Sequence, residues 1–151
     1  MREIEFRGFH IGGGGQDIVR ITGPDGNAMF CGGRWLTGSL VLWADGDASL
    51  LRRDPDDDND HLSQYFVLPE TVGEWTGYCD KNGRRIYEGD RVRVPDSMRS
   101  RGPVIVQIGL HHGIWCVLFA GGDWDFLSTN AMDAEVIGTV YDPEVTGDDR
   151  A

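Results

Sequence analysis

Trp75–Arg93 reads WTGYCDKNGRRIYEGDRVR, and this stretch decides the fold. Asn82-Gly83 is the dipeptide that supplies two positive-φ residues to a tight type I′ hairpin. Gly89-Asp90 then turns the chain into Arg91-Val92-Arg93-Val94, whose alternation is that of a half-buried strand. So many turn residues beside a period-two run predict a β fold, with Asn82-Gly83 as a type I′ turn.

Working outward, Glu3–Phe9 alternates as a first strand, and the glycines Gly12–Gly15 interrupt it. Ile18–Ile21 predicts a short strand closed by Gly23-Pro24-Asp25-Gly26. Trp35–Trp43 predicts a longer one, followed by a turn at Ala44–Asp47, a polar loop over Arg52–His61 and a strand at Gln64–Leu68. Beyond Gly83 the pattern predicts strands near Ile86–Val94, Val104–Leu110, Ile114–Ala120, Asp123–Leu127 and Glu135–Tyr141. Ser128–Ala134 reads as a single helical turn capped by Ser128 or Thr129. With no sustained period of 3.6, helix content is low. Short strands at close spacing describe a small, curled antiparallel barrel in the second half.

The chain has 151 residues, enough for one domain or two small subdomains, and its 22 glycines suit many tight turns. No apolar run is long enough to cross a bilayer, and the charged, alternating start does not read as a signal peptide. Cys31, Cys79 and Cys116 are odd in number and scattered. That usage fits reduced thiols in a cytoplasm rather than a disulfide framework or a metal site.

The net charge of −11 argues against unselective binding to polyanions. The charge is nevertheless uneven. Half of the 14 basic residues fall between Lys81 and Arg101, while acids gather at Asp54–Asp60 and after Tyr141.

In order along the chain, MREIEFRG, GGRWLTGSLV, Pro69–Gly73 followed by WTGYCDKNGRRIYEGDRV, and Glu135–Glu144 resemble the YopX-like proteins of phages and prophages. The resemblance implies an N-terminal antiparallel β subdomain (1–75), often used in self-association. It implies next an SH3-like barrel (76–142); the residues after it read as a polar tail (143–151). It carries no catalytic residues. Trp75, the pair Tyr78-Cys79, the aspartate-rich loop and the tetraglycine depart from the family pattern without touching its turn chemistry.

Candidate chemistry reads mostly as structure. Asp54–His61 has carboxylates suited to calcium, but its spacing fails the EF-hand pattern at the glycine and at the bidentate glutamate. Gly12–Gly15 lacks the following helix and lysine of a phosphate loop. His111-His112 beside Cys116 has no third orienting group, and a thiol among Trp115, Val117 and Leu118 is inert. The signature residues Thr76, Gly77, Asp80, Asn82, Gly83, Ile86, Tyr87, Glu88, Gly89 and Asp90 read as turn and core positions, with acids capping turns. Arg84, Arg85, Arg91 and Arg93, with Arg99 and Arg101 on a flanking loop, form a basic stripe. With Trp124 and Phe126 as stacking candidates, it is the one pattern suited to nucleic acid or a partner.

The expectation is therefore a phage or prophage accessory protein in the cytoplasm of a bacterial host. It acts by binding as a homo-oligomer, with no catalysis, cofactor, metal or membrane. A nucleic-acid-binding barrel is the first alternative. An acidic decoy of a host protein is the second.

Overall fold

The computed structural model describes residues 3–54, 61–95 and 102–143. The chain is mainly β, with 60% of described residues in strands and 8% in helix, arranged as antiparallel pairs. It divides into two compact units, Met1–Glu74 and Trp75–Ala151.

The first unit contains β1 (Phe6–Ile11), β2 (Asp17–Thr22), β3 (Ala28–Leu42), β4 (Ala48–Arg53), β5 (Leu62–Val67) and a 3₁₀ turn at Pro69–Thr71. β3 is the organiser. Its opening half pairs with β2, its middle with β1 and its end with β4. β5 then pairs with β4. After β5 the chain comes back to β1, where the Leu68 N–H donates to the Phe9 carbonyl at 2.9 Å. The Phe9 N–H in turn donates to Thr71 Oγ1 at 3.0 Å. This return encloses Leu36, Ala48, Leu50 and Val67, with Phe6, Leu40, Tyr65 and Val72 packed around them.

β6 (Gly73–Cys79) holds the boundary between the units. Gly73 and Glu74 pair with β1, and Trp75 and Cys79 pair with β7 (Arg85–Tyr87). The second unit continues with β8 (Asp90–Pro95), β9 (Pro103–His111), β10 (Ile114–Leu118) and β11 (Trp124–Phe126). A helical turn α1 (Leu127–Asn130), a 3₁₀ turn at Ala131–Asp133 and β12 (Glu135–Thr139) complete it. The sheet order is β11-β10-β9-β8-β12. Its core joins Ile86, Val92, Val94, Val106, Ile108, Val117 and Val136 with Leu127, Ala131 and Ala134.

Several sequence expectations need correction. Among the described residues β11 and β12 are the two ends of this sheet, so strand pairing does not close it into a barrel. Asn82 does not take positive φ, because His112 is the only non-glycine described residue that does. The Asn82-Gly83 connection is instead a three-residue hairpin. The Gly83 N–H donates to the Asp80 carbonyl, the Asp80 N–H donates to the Arg84 carbonyl, and Gly83 alone sits at φ 81°. The same pair of bonds recurs at Gly23–Asn27, Trp43–Asp47 and Phe119–Asp123. The two-residue turn with both φ positive occurs at His112-Gly113, at 52° and 78°.

The strand expected over Ile86–Val94 breaks at Glu88-Gly89, where the Asp90 carboxylate accepts the Tyr87 N–H at 2.8 Å. β4 replaces part of the segment read as a loop, its alternation hidden by Ser49, Arg52 and Arg53. α1 begins after Phe126, and neither Ser128 nor Thr129 caps it.

Candidate functional site

The signature's carboxylates are held by backbone. Asp80, only 7% exposed, accepts the N–H groups of Asn82 and Arg84 on Oδ1 and that of Val136 on Oδ2, each at 2.9 Å. Burial by itself would raise its pKa. Those three bonds and the charge of Arg84 outweigh it, so the carboxyl titrates below its ordinary value. Asp90 is fully buried. The Thr76 hydroxyl donates to the Ile86 carbonyl at 2.8 Å, and Gly77 lies where the β6–β7 register shifts. Ile86 is a core residue, Tyr87 is buried, and Glu88 is half-buried at the break between β7 and β8.

The basic stripe is divided among local contacts. The Arg85 guanidinium lies 4.0 Å from the centre of the Trp75 ring. Arg93 Nη1 is 3.1 Å from Glu135 Oε1, and Lys81 Nζ is 3.3 Å from Glu135 Oε2. Arg84 is exposed beside Asp80, and Arg91 is half-buried. Arg99, Arg101 and most of the Asp54–Asp60 run lie outside the described residues.

Strand register supplies a relationship that spacing alone did not show. Arg91 pairs with Gln107, Gln107 with Leu118, and Leu118 with Trp124. Directly paired residues share a face, so Arg91 and Trp124 lie in one cross-strand row, about 14 Å apart over three strand spacings. The next row sets Gly109 beside Cys116 and Phe126, and His111 pairs with Ile114 beyond it. Val106, Ile108 and Val117 alternate to the opposite face and fill the core.

This outward face carries a continuous aromatic and aliphatic patch. Trp124 is 42% exposed, Phe126 40% and Ile114 49%. The Trp124 ring lies 4.6 Å from His111 and 5.3 Å from Phe126, centroid to centroid, and His111 lies 4.3 Å from His112. Cys116, in the middle of the face, is fully buried, and burial pushes its thiol up. The face therefore offers planar surfaces, aliphatic contact and the polar ends of Arg91 and Gln107. A sequence reading could have found it by carrying the period-two parity of β10 through the Phe119–Asp123 turn into β11.

Among the described residues no group of three metal-ligating side chains converges, and no helix is long and apolar enough to cross a membrane.

The sequence profile of the family described as YopX protein matches residues 41–145. The chain belongs to the YopX family. No curated protein matches it significantly. The YopX match runs from the end of β3 to just past β12, so it takes in the whole Asp80 network and both rows of the outward face. Of the opening stretches that resemble the family, MREIEFRG lies ahead of the matched residues and GGRWLTGSLV ends on the first of them, Val41.

Proposed function

We propose that this YopX-family chain is a phage or prophage accessory protein that works by binding, as a homo-oligomer in the cytoplasm of a bacterial host. The observation that carries this reading is the patch on one sheet face formed by the exposed Ile114, Trp124 and Phe126 with the half-buried His111 and Leu118. Exposed aromatics gathered on a rigid strand surface are the usual mark of an interaction site. Asp80 and Asp90 support the same reading from the other side, since both Asp80 oxygens and Asp90 Oδ2 accept backbone N–H groups.

Sedimentation velocity at tens of micromolar tests it. The unmodified chain is expected to sediment above monomer mass, and Trp124→Ser with Phe126→Ser to return it to monomer. A clean monomer before substitution overturns the homo-oligomer.

A second reading, single-stranded nucleic acid on the same face, draws on the row from Arg91 through Gln107 to Trp124. It is the weaker one, because Glu135 engages Arg93 and the chain is strongly acidic. An electrophoretic shift that appears at low salt and vanishes in Arg91→Ala would favour it.

A further inference from the structure

The first unit contains a polar cluster that the family signature does not touch. His10 and Arg34 are opposite each other across β1 and β3, and Arg52 is opposite Ser63 across β4 and β5. Tyr65 follows Ser63 by two, and Asp54 follows Arg52 by two, so all share one side. The Tyr65 hydroxyl donates to Asp54 Oδ2 at 2.6 Å. Arg52 Nε is 3.7 Å from Asp54 Oδ1. The Arg34 guanidinium lies 5.5 Å from the centre of the Tyr65 ring, and the His10 ring meets that same ring edge-on at 5.3 Å. His10 Nδ1–H donates to the Phe66 carbonyl at 2.7 Å, which turns Nε2 outward from that bond.

Among the described residues the charges in this cluster do not balance. Two guanidinium groups meet one carboxylate among those residues, in a chain that is otherwise strongly acidic. Arg34 makes no ion pair with a described residue. The Nε atoms of Arg34 and Arg52 are both buried and make no hydrogen bond to a described residue, Arg52 Nε facing Asp54 Oδ1 only at ion-pair distance. A donor left without an acceptor is costly, and a planar guanidinium fork matches a bidentate oxyanion. The adjoining connection presents no side chains. The position a Cβ on Gly13 would take is 3.6 Å from the His10 ring, whereas a Cβ on Gly15 would run into the Gly33 carbonyl first, with Arg34 Cβ 2.9 Å away. The cluster residues are all half-buried, so solvent reaches part of each, though not the two Nε atoms.

We propose that this cluster binds a small oxyanion, a phosphate or a carboxylate, through Arg34 and Arg52, with His10 and Tyr65 bounding the site. The anion supplies the acceptors that Asp54 alone does not. The site is independent of the outward face of the second sheet.

The test titrates the full chain, labelled with ¹⁵N, with sodium phosphate and separately with sodium acetate. Chloride holds the ionic strength constant, and the Arg34 and Arg52 Nε–H resonances are followed. Saturating shifts at millimolar anion are expected, weakened about tenfold or more in Arg34→Gln and in Arg52→Gln. Arg20→Gln, at an exposed position of β2, is the control that keeps full affinity. Arg34→Lys, which keeps the charge but not the fork, stands in if Arg34→Gln does not fold, and it too should weaken binding. Saturation by phosphate or by acetate identifies the oxyanion. Non-saturating shifts, shifts reproduced by chloride, or unchanged affinity in both arginine variants would overturn the site. Trp124→Ser leaves this titration unchanged, so it is independent of the oligomer test.

Discussion

Asp80 Oδ2 accepts the backbone N–H of Val136 at 2.9 Å, joining a turn near the start of the second unit to a strand near its end. With Asn82 and Arg84 on the other oxygen, one side chain both shapes a hairpin and fastens β12. Asp80→Ala leaves three N–H groups without that acceptor. It is expected to destabilise the chain by about 3 kcal/mol, measured by urea unfolding, since hydrogen bonds to charged groups contribute about 1.5–3 kcal/mol each and water recovers part of the loss. Asp80→Asn should cost less. An effect below about 0.5 kcal/mol for the alanine variant would refute the role.

The same carboxylate gives the chain an acid sensitivity of definite sign. Its pKa is lower in the folded chain than its ordinary 3.8. The stability it contributes is therefore fully present above that ordinary value, and is lost as pH falls through the depressed one. Unfolding free energies of the parent and Asp80→Asn should be furthest apart above about pH 4 and converge below it. A gap that widens on acidification would contradict this.

Backbone conformation predicts a contrast between two glycines. Gly83 sits at φ 81°, where an L side chain is strained, whereas Gly121 is not at positive φ and has open space where a Cβ would go. Gly83→Ala should cost about 1–2 kcal/mol, and Gly121→Ala should be neutral or slightly stabilising. Thermal unfolding of the two variants side by side checks both.

Thiol labelling should separate the cysteines. Cys79 is exposed and Cys116 is buried with a raised pKa. A disulfide reagent at neutral pH should modify Cys79 within minutes and reach Cys116 only after denaturant is added. Fast native reaction at Cys116 would mean that the outward face opens.

The β class was legible because period-two runs and turn residues agree along most of the chain. The turn type at Asn82-Gly83 was not. Its conformation is set by Asp80, whose carboxylate binds the N–H groups on both sides of Gly83 and so favours the three-residue form. Closure was overread for a similar reason: local alternation identifies strands, but it does not say which strands end a sheet. Trp124 could be picked out by residue type. Its place in a row with Arg91 needed the register of β8 to β11, which depends on where each turn tightens.

Four of the hairpins use one and the same turn, each closed within five residues, at Gly23–Asn27, Trp43–Asp47, Asp80–Arg84 and Phe119–Asp123. Hairpins of this kind form in about 1–10 μs, so the chain can begin to fold at several places at once. What must wait are the distant joins, Leu68 to Phe9 and Val136 to Asp80, and these should set the folding rate. On the ribosome, the second unit would hold its turns early yet gain its final grip only when the last strand emerges.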